Sequence, residues 1–221
     1  MRRAGWTLLV AAMLAASLLA LMLGATPIAP GDVWGALAGG GDEATRAIVR
    51  TVRLPRVLLA LLVGGALGMS GTVMQGTLRN GLAEPYLLGV SGGAAVGAVL
   101  AVAGGFTSPA AVALAAFVGA LLAVAGVLAL ARATGGEGDT RILLMAGVVI
   151  GAFANAAIMV VMAAAAPDVT RNALWWMMGS VAAAGWRDVL LLAGALAAIG
   201  VPLLHRARWL DVLALGGDSA G

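Results

Sequence analysis

The sequence has no cysteine and no lysine, and it has a single histidine among its 221 residues. Without cysteine the chain can form neither a disulfide framework nor a thiolate metal site. Without lysine it lacks the G-x-x-x-x-G-K-S/T loop that cradles nucleotide phosphates, so it hydrolyses no nucleotide by that route. His205 alone cannot supply a site that needs two imidazoles. We therefore expect no cofactor and no metal site.

Charge is also scarce, since charged residues make up 10% of the chain and hydrophobic residues 62%. A soluble domain typically has about 25% charged residues and about 45–50% apolar residues. A soluble core could not hide this much apolar surface, so the composition indicates a membrane protein surrounded by lipid. The formal net charge is only +3, and the arginines are scattered between apolar runs. Nucleic acid is therefore not an expected partner.

Long apolar runs predict an all-α fold, a polytopic membrane helix bundle with six spans in one transmembrane domain. About 20 apolar residues form a helix of about 30 Å, which is long enough to cross a bilayer core. The predicted spans cover residues 6–25, 57–75, 87–104, 109–131, 142–166 and 189–204. Residues 172–186 are apolar but too short to span, and they contain Trp175 and Trp176. We expect a short interfacial helix there.

Six spans would place both termini on the same side of the membrane. Seven arginines then lie on the side of the termini and six on the other side. The difference is small, but the pairs Arg2/Arg3 and Arg206/Arg208 favour cytoplasmic termini. The first apolar run is longer than the apolar region of a signal peptide, so we expect it to be retained as a span.

Small residues recur at every fourth position on three of the predicted spans. These stripes are Gly64, Gly68, Thr72 and Gly76 on the second span, Gly89, Gly93 and Gly97 on the third, and Gly147, Gly151 and Asn155 on the fifth. Such stripes let helices approach closely within a membrane. They predict tight helix packing, but by themselves they say nothing about function.

Gly89-Val90-Ser91-Gly92 matches the G-x-S-G nucleophile pattern of rhomboid-type intramembrane serine proteases. A serine nucleophile needs a base within hydrogen-bond reach. The histidine His205 lies among arginines at the end of the sixth predicted span, where it reads as a membrane-boundary residue. A protease is therefore an alternative that lacks an identified base. Every carboxylate falls in a loop or at the end of a span, so a proton or cation pathway is unsupported.

Arg53-Leu54-Pro55-Arg56 opens the second predicted span. Proline is tolerated in a first helical turn, and two arginines three residues apart share one side of the helix. On the residues alone, the plainer interpretation is a pair of arginines that snorkel to the bilayer surface.

Seven motifs, in chain order, closely resemble those of the FecCD-like permease subunits of ABC importers for iron-siderophores, haem and cobalamin. The motifs are Arg53-Leu-Pro-Arg56, residues 71–76, Arg79-Asn-Gly-Leu-Ala-Glu-Pro85, residues 88–93, 175–180 and 185–187, and Leu213-Ala-Leu-Gly216. The resemblance implies a multi-pass permease subunit in the bacterial cytoplasmic (inner) membrane that moves a metal chelate without changing it chemically. The chain itself would not be an enzyme, because ATP would be hydrolysed on a partner subunit.

The resemblance also implies the partners of such a permease. It would form a homodimer or pair with a homologous permease. It would dock cytoplasmic ATP-binding subunits on one side and an extracytoplasmic substrate-binding protein on the other. Which chelate it carries cannot be read from the residues.

The resemblance further implies roles for particular residues. Arg53 and Arg56 would receive carboxylates of the binding protein. The remaining roles fall on Asn80, Glu84, Pro85 and Asn155 for the pathway or its turn, on Asp139, Thr140 and Arg141 for the cytoplasmic gate, and on Leu213, Ala214, Leu215 and Gly216 for coupling to the ATPase. Residues 209–221 would then begin a cytoplasmic coupling segment.

The sequence departs from the family pattern in two places. Gly81 stands where the family usually has proline, which gives the turn more backbone freedom. The sequence also stops at Gly221, where family members continue for about four more spans, so we expect a fragment or a truncated gene product. A remnant without transport activity is the corresponding alternative function.

Overall fold

The computed structural model describes residues 2–135 and 139–208, and within these ranges the secondary structure is helical, with no β-strand. The described residues fall into two compact units. The first unit comprises those of Met1–Ala66 and Val181–His205, and the second comprises those of Leu67–Ser180 together with the short segment after His205.

The first unit combines long apolar helices with short helices that carry arginine. It contains α1 (Arg2–Met22), α2 (Pro30–Ala38), α3 (Glu43–Ala47), a π-helix (Ile48–Arg53), the first half of α4 (Leu54–Thr77) and α9 (Trp186–His205). Proline at the first position favours the start of α2, and Gly39 ends it with a φ of 94°. The side chain of Asp42 caps α3 by accepting hydrogen bonds from the Ala44 and Thr45 amides.

A small apolar core holds the end of α1 against α2 and the π-helix. Its buried members are Leu21, Ile28, Val33, Ala36 and Val49. Val33 and Val49 are fully buried. The segment that joins α1 to α4 therefore packs around this core and is not an open loop.

The second unit is built around three apolar helices. It contains the second half of α4, a 3₁₀-helix (Pro85–Leu88), α5 (Val90–Ala103), α6 (Pro109–Ala133), α7 (Thr140–Ala164) and α8 (Pro167–Met178). One buried cluster joins α5 to α6 through Ala98, Ala101, Val112 and Ala116. A second cluster joins α5, α7 and α8 through Val99, Ile158 and Ala173.

Glycine permits the close approach of α5 and α6. A Cβ atom added at Gly93 would collide with the Gly119 carbonyl oxygen and with the Ala123 Cβ. A Cβ atom at Gly97 would collide with the backbone of Ala115. The predicted stripe on the third span is therefore a helix contact, as small-residue packing requires. The α4 stripe differs, because a Cβ at Gly64 or Gly68 meets no atom within 4 Å.

Five described helices are long and apolar enough to cross a membrane, and α5 is a shorter apolar helix. α5 has 14 residues, which gives a length of about 21 Å. The predicted all-α membrane bundle is confirmed. α-Helices overlap all six predicted spans. At the predicted interfacial helix, 172–186, the helix instead covers Pro167–Met178, because Pro167 occupies its first turn and Gly179, with a φ of 72°, ends it.

Candidate functional site

The arginine-rich segment of the first unit stands at one end of a long continuous helix. α3, the π-helix and α4 together run from Glu43 to Thr77, 35 residues. Such a helix is about 52 Å long, whereas a bilayer core is about 30 Å thick. A helix of this length exceeds the thickness of the core, and charged residues are tolerated on the part of a helix that lies outside it.

Arg53 is buried, with only 8% of its surface exposed. Its Nη1 atom donates hydrogen bonds to the carbonyl oxygens of Leu21, at 2.7 Å, and Met22, at 2.9 Å. Its Nη2 atom donates to the Thr26 carbonyl oxygen. The last carbonyls of a helix have no partner within the helix, and a cation there also interacts favourably with the helix dipole. Arg53 therefore caps the C-terminal end of α1.

Arg46 and Arg50 make the same kind of contact with the end of α2. Arg50 Nη2 donates to the Leu37 carbonyl oxygen at 2.6 Å, and Arg46 Nη1 donates to the Gly39 carbonyl oxygen at 2.9 Å. The wider i→i+5 turn of the π-helix rotates Arg50 and Arg53 farther apart than an α-helix would. The two arginines can therefore serve different helix ends.

Arg56 occupies a different environment from Arg53. It is partly buried, and its Nε atom is buried without a hydrogen-bond partner. It lines a cavity of about 290 Å³ together with Leu23, Gly24, Thr26 and Arg53. A buried N–H without a partner is uncommon in native structures. Of the two arginines in the motif, Arg56 is therefore the one with a buried N–H that lacks a hydrogen-bond partner.

The polar turn of the second unit begins where α4 ends. Arg79 has a φ of 49°, a left-handed conformation in which the chain leaves the helix. The Asn80 amide donates to the Gln75 carbonyl oxygen at 3.2 Å, as in a Schellman end. The Asn80 Oδ1 atom accepts a hydrogen bond from the Leu82 amide at 2.9 Å. Asn80 therefore shapes this turn with both its backbone and its side chain.

The second half of the turn is fixed by proline and glycine. Glu84 is exposed and precedes the 3₁₀-helix, which begins at Pro85. Gly89 then adopts a φ of 70° and starts α5. A Cβ added at Gly147 on α7 would collide with the carbonyl oxygen of Leu87. The structure thus brings the turn into contact with the predicted stripe of the fifth span.

The other predicted site residues lie on α7 or outside the described ranges. Asp139 caps α7, and its Oδ1 atom accepts a hydrogen bond from the Arg141 amide at 2.8 Å. Asn155 is exposed on α7, eight residues beyond Gly147, which is about 12 Å along the helix. The predicted coupling residues, Leu213 to Gly216, lie outside the described residues.

Ser91, the serine of the G-x-S-G pattern, lies in the first turn of α5 in the second unit. The single histidine, His205, belongs to the first unit. The glycines of the pattern have structural roles, since Gly89 forms the left-handed turn and a Cβ at Gly92 would lie 3.0 Å from the Ala154 Cβ. The pattern is thus explained by a turn and by helix packing.

The described part of the second unit includes an apolar groove and a more polar cavity. An apolar groove of about 880 Å³ runs between α5, α6 and α7 and includes Leu100, Leu122 and Phe153. A more polar cavity of about 590 Å³ lies between α5 and the end of α8 and includes Ser91, Trp175 and Trp176. Neither cavity contains a charged side chain, so neither has an evident site for acid–base chemistry.

Sequence reasoning missed the capping roles of Arg46, Arg50 and Arg53. The glycine Gly24 was missed as well, although a Cβ there would lie 2.9 Å from Arg53 Nη2 and 3.2 Å from its Cζ atom. Two helices end earlier in the chain, at Met22 and Ala38, but no periodicity connects these ends to the arginines at positions 46, 50 and 53. The π-helix leaves no signal in the residue pattern.

Comparison with known proteins identifies the family. The sequence model of the FecCD transport family matches residues 11–221. The chain is 37% identical over 185 residues to the cobalamin import system permease protein BtuC of Halobacterium salinarum, covering 82% of this chain and 48% of that protein. It is 39% identical over 174 residues to the hemin transport system permease protein HmuU of Yersinia pestis, covering 76% and 52%. The chain thus spans about half the length of the curated relatives it matches.

A solved structure of a metal-chelate type ABC transporter in an inward-facing conformation has the same fold. Its TM-score is 0.81 at 25% sequence identity, and the match covers 98% of this chain and 65% of that chain. The family match and the structural match both extend over nearly all of the sequence. The protein is therefore a multi-pass membrane protein that belongs to the FecCD transport family.

Proposed function

We propose that the protein is a permease subunit of an ATP-driven importer in a bacterial cytoplasmic membrane, with a metal chelate as its substrate. Iron-siderophores, haem and cobalamin are the candidate chelates. The family match over residues 11–221 is the single observation that carries the proposal. The relatives named as cobalamin and hemin permeases, and the solved metal-chelate type transporter, support the substrate class.

The proposal assigns no chemical step to this chain. The substrate passes through unchanged, and ATP is hydrolysed on cytoplasmic partner subunits that bind this permease. A second permease, either a copy of this chain or a homologue, completes the pathway. Both termini face the cytoplasm, and residues 209–221 contribute to the contact with the ATPase.

The turn between α4 and α5 is the element through which we expect movement to reach α7. The turn and the start of α7, at Asp139 to Arg141, both lie at the cytoplasmic side in the proposed orientation. Gly147 leaves no room between α7 and the Leu87 carbonyl, so a displacement of the turn toward α7 would push that helix. Asn80, Glu84 and Pro85 shape that turn. Asn155 would then line the pathway farther along the same helix.

The arginine-bearing end of the helix Glu43–Thr77 receives the substrate-binding protein in this proposal. The helix Glu43–Thr77 is longer than the hydrocarbon core is thick. In this proposal its arginine-bearing end lies outside the core, where a soluble partner can reach it. Guanidinium groups bind carboxylates through charge-assisted hydrogen bonds, often two at a time. An acidic patch on the binding protein therefore fits this end. Salt should weaken the contact, because exposed charges are screened at physiological ionic strength.

A chimera tests this function whatever the length of the chain. The matching segment of the Yersinia pestis hemin permease is replaced by residues 11–221 of this protein, and ATP-dependent hemin uptake is measured in cells that carry the other subunits. We expect uptake above that of cells without permease. A chimera that inserts in the membrane at the native level but supports no uptake would contradict the proposal. Gly147→Val, which forces α7 away from the turn, should abolish the uptake.

A further inference from the structure

Trp186 makes a hydrogen bond that its place in the sequence does not explain. It is the first residue of α9, and its indole Nε1–H donates to the Arg50 carbonyl oxygen at 3.0 Å, across 136 residues of chain. Both residues belong to the first unit. A tryptophan at the end of a membrane helix is ordinarily an interfacial residue at the level of the lipid headgroups. Trp186 instead uses its N–H on the backbone of the π-helix.

The start of α9 holds Trp186 in place. The Gly185 amide donates to Asp188 Oδ2 at 2.9 Å, and the Gly185 carbonyl oxygen accepts from the amides of Asp188 and Val189. This reciprocal arrangement is similar to a capping box, with Gly185 just before the first residue of the helix. Val189, in the same turn, is buried. The indole therefore approaches Arg50 from a fixed helix end.

The Arg50 carbonyl oxygen needs this donor because of Pro55. The Leu54 amide donates to the Val49 carbonyl oxygen, five residues earlier. One residue farther along, the same pattern would pair the amide of residue 55 with the Arg50 carbonyl oxygen, but proline has no N–H. The Trp186 indole supplies the donor that the backbone lacks there.

Pro55 removes one backbone donor whether the preceding residues form a π-helix or an α-helix. In the i→i+5 pattern of a π-helix the affected carbonyl is that of Arg50, and in the i→i+4 pattern of an α-helix it would be that of Thr51. A π-helix is rare and usually occurs as a single turn inside an α-helix. The indole donor favours the π pattern, because in the α pattern the Leu54 amide would already pair with the Arg50 carbonyl oxygen.

We propose that Trp186 is a latch: the bond from its indole to Arg50 holds residues 48–53 as a π-helix, and release of the bond lets them relax into an α-helix. The choice of helix sets the angle between Arg50 and Arg53, which cap the ends of α2 and α1. A movement of α9 is thereby coupled to the segment that joins α1 to α4. This inference goes beyond the proposed function and does not depend on it.

Hydrogen exchange of the indole N–H groups tests the bond in the full chain in detergent, without any substitution. The Nε1–H signals of Trp186 and Trp34 are followed by ¹⁵N–¹H spectroscopy. Trp34 is the matched comparison, because it is also an exposed tryptophan on a helix of the first unit. We expect the Trp186 N–H to exchange at least about fivefold more slowly, the factor that corresponds to one net hydrogen bond between neutral groups. Equal exchange rates would overturn the latch.

Spin-label distances across the π-helix test which helix residues 48–53 form. The chain has no cysteine, so Ala47→Cys and Ala60→Cys place labels only at two exposed positions on either side of this segment. With Trp186 present we expect one main distance. Trp186→Phe keeps an aromatic ring but removes the N–H, so the population at a second distance should rise about fivefold relative to the first. The matched control, Trp34→Phe, should change this ratio less than twofold.

Pro55→Ala separates the latch from a general loosening of α9. This variant has an N–H at residue 55, so the pairing no longer depends on the indole, and adding Trp186→Phe to it should change the distance ratio less than twofold. Three outcomes would overturn the proposal: an unchanged ratio in Trp186→Phe alone, the same change in Trp34→Phe, or an equal effect of Trp186→Phe with and without Pro55→Ala. None of these measurements involves hemin uptake, so failure of the latch and failure of the importer function can be told apart.

Discussion

Replacing Gly93 by alanine tests the contact between α5 and α6. The added Cβ would collide with the Gly119 carbonyl oxygen and the Ala123 Cβ. Neither obstacle can rotate away, because one is backbone and the other is fixed directly to it. The two helices must therefore move apart in Gly93→Ala.

The magnitude of this effect follows from two opposing contributions. Overpacking of a close contact costs about 1–3 kcal/mol, and a rigid obstacle favours the upper end of that range. Alanine stabilises a helix by about 1 kcal/mol relative to glycine. The net loss is then about 2 kcal/mol, and since each kcal/mol shifts the Tm of a chain of this size by about 2–4 °C, we expect a fall of about 4–8 °C.

The shift in Tm is measured by heating the protein in detergent and monitoring its unfolding by size-exclusion chromatography of the heated samples. Gly194→Ala on α9 is the matched control, because a Cβ at Gly194 meets no atom within 4 Å. Its Tm should stay the same or rise by about 2–4 °C, since alanine then contributes only its helix propensity. If Gly93→Ala and Gly194→Ala shift the Tm equally, the close approach of α5 and α6 is refuted.

Three further predictions concern the turns and caps. Arg79→Gly should be more stable than Arg79→Ala by about 1 kcal/mol in chemical unfolding, because only glycine adopts the positive φ of this position without cost. Equal stability of the two variants would show that the turn is unstrained. Gly147→Ala should lower chimera uptake more than Gly194→Ala does, because its Cβ collides with the Leu87 carbonyl oxygen, and equal uptake would contradict this coupling. Hydrogen bonds from the Thr45 hydroxyl, and then from the Thr45 amide, hold the pKa of Asp42 below its usual range. The cap that Asp42 forms on α3 is therefore fully present above the usual carboxyl pKa, and it is lost as the pH falls through the lowered pKa of Asp42. Amide exchange at Thr45, corrected for its intrinsic pH dependence, should therefore rise below about pH 4 and should already be raised at neutral pH in Asp42→Ala.

The fold class could be predicted from the sequence because the bilayer imposes a simple rule on it. Runs of about 20 apolar residues form spanning helices, and Pro109 and Pro167 mark where helices begin or end. The glycine stripe on α5 likewise predicted a close helix contact, and the structure has this contact with α6 at Gly93 and Gly97. These features depend on local residue type and spacing, which a sequence displays directly.

The role of Arg53 could not be predicted in the same way. Its hydrogen-bond partners lie 27 to 32 residues earlier in the chain, and no periodicity connects them. The π-helix that turns Arg53 toward α1 and Arg50 toward α2 has an ordinary residue composition. Family resemblance assigned one shared role to both arginines of the motif, whereas burial and hydrogen bonding divide them. Docking by Arg56 remains a prediction.

The central proposal is that the protein is a permease subunit of an ATP-driven importer. Uptake into sealed vesicles tests this proposal most directly. Vesicles that contain the chimeric permease and its ATPase, with hemin-loaded binding protein outside, receive either ATP or a non-hydrolysable analogue inside. We expect hemin accumulation with ATP and none with the analogue. Equal accumulation under both conditions, or none with ATP when the unaltered permease transports, would contradict it.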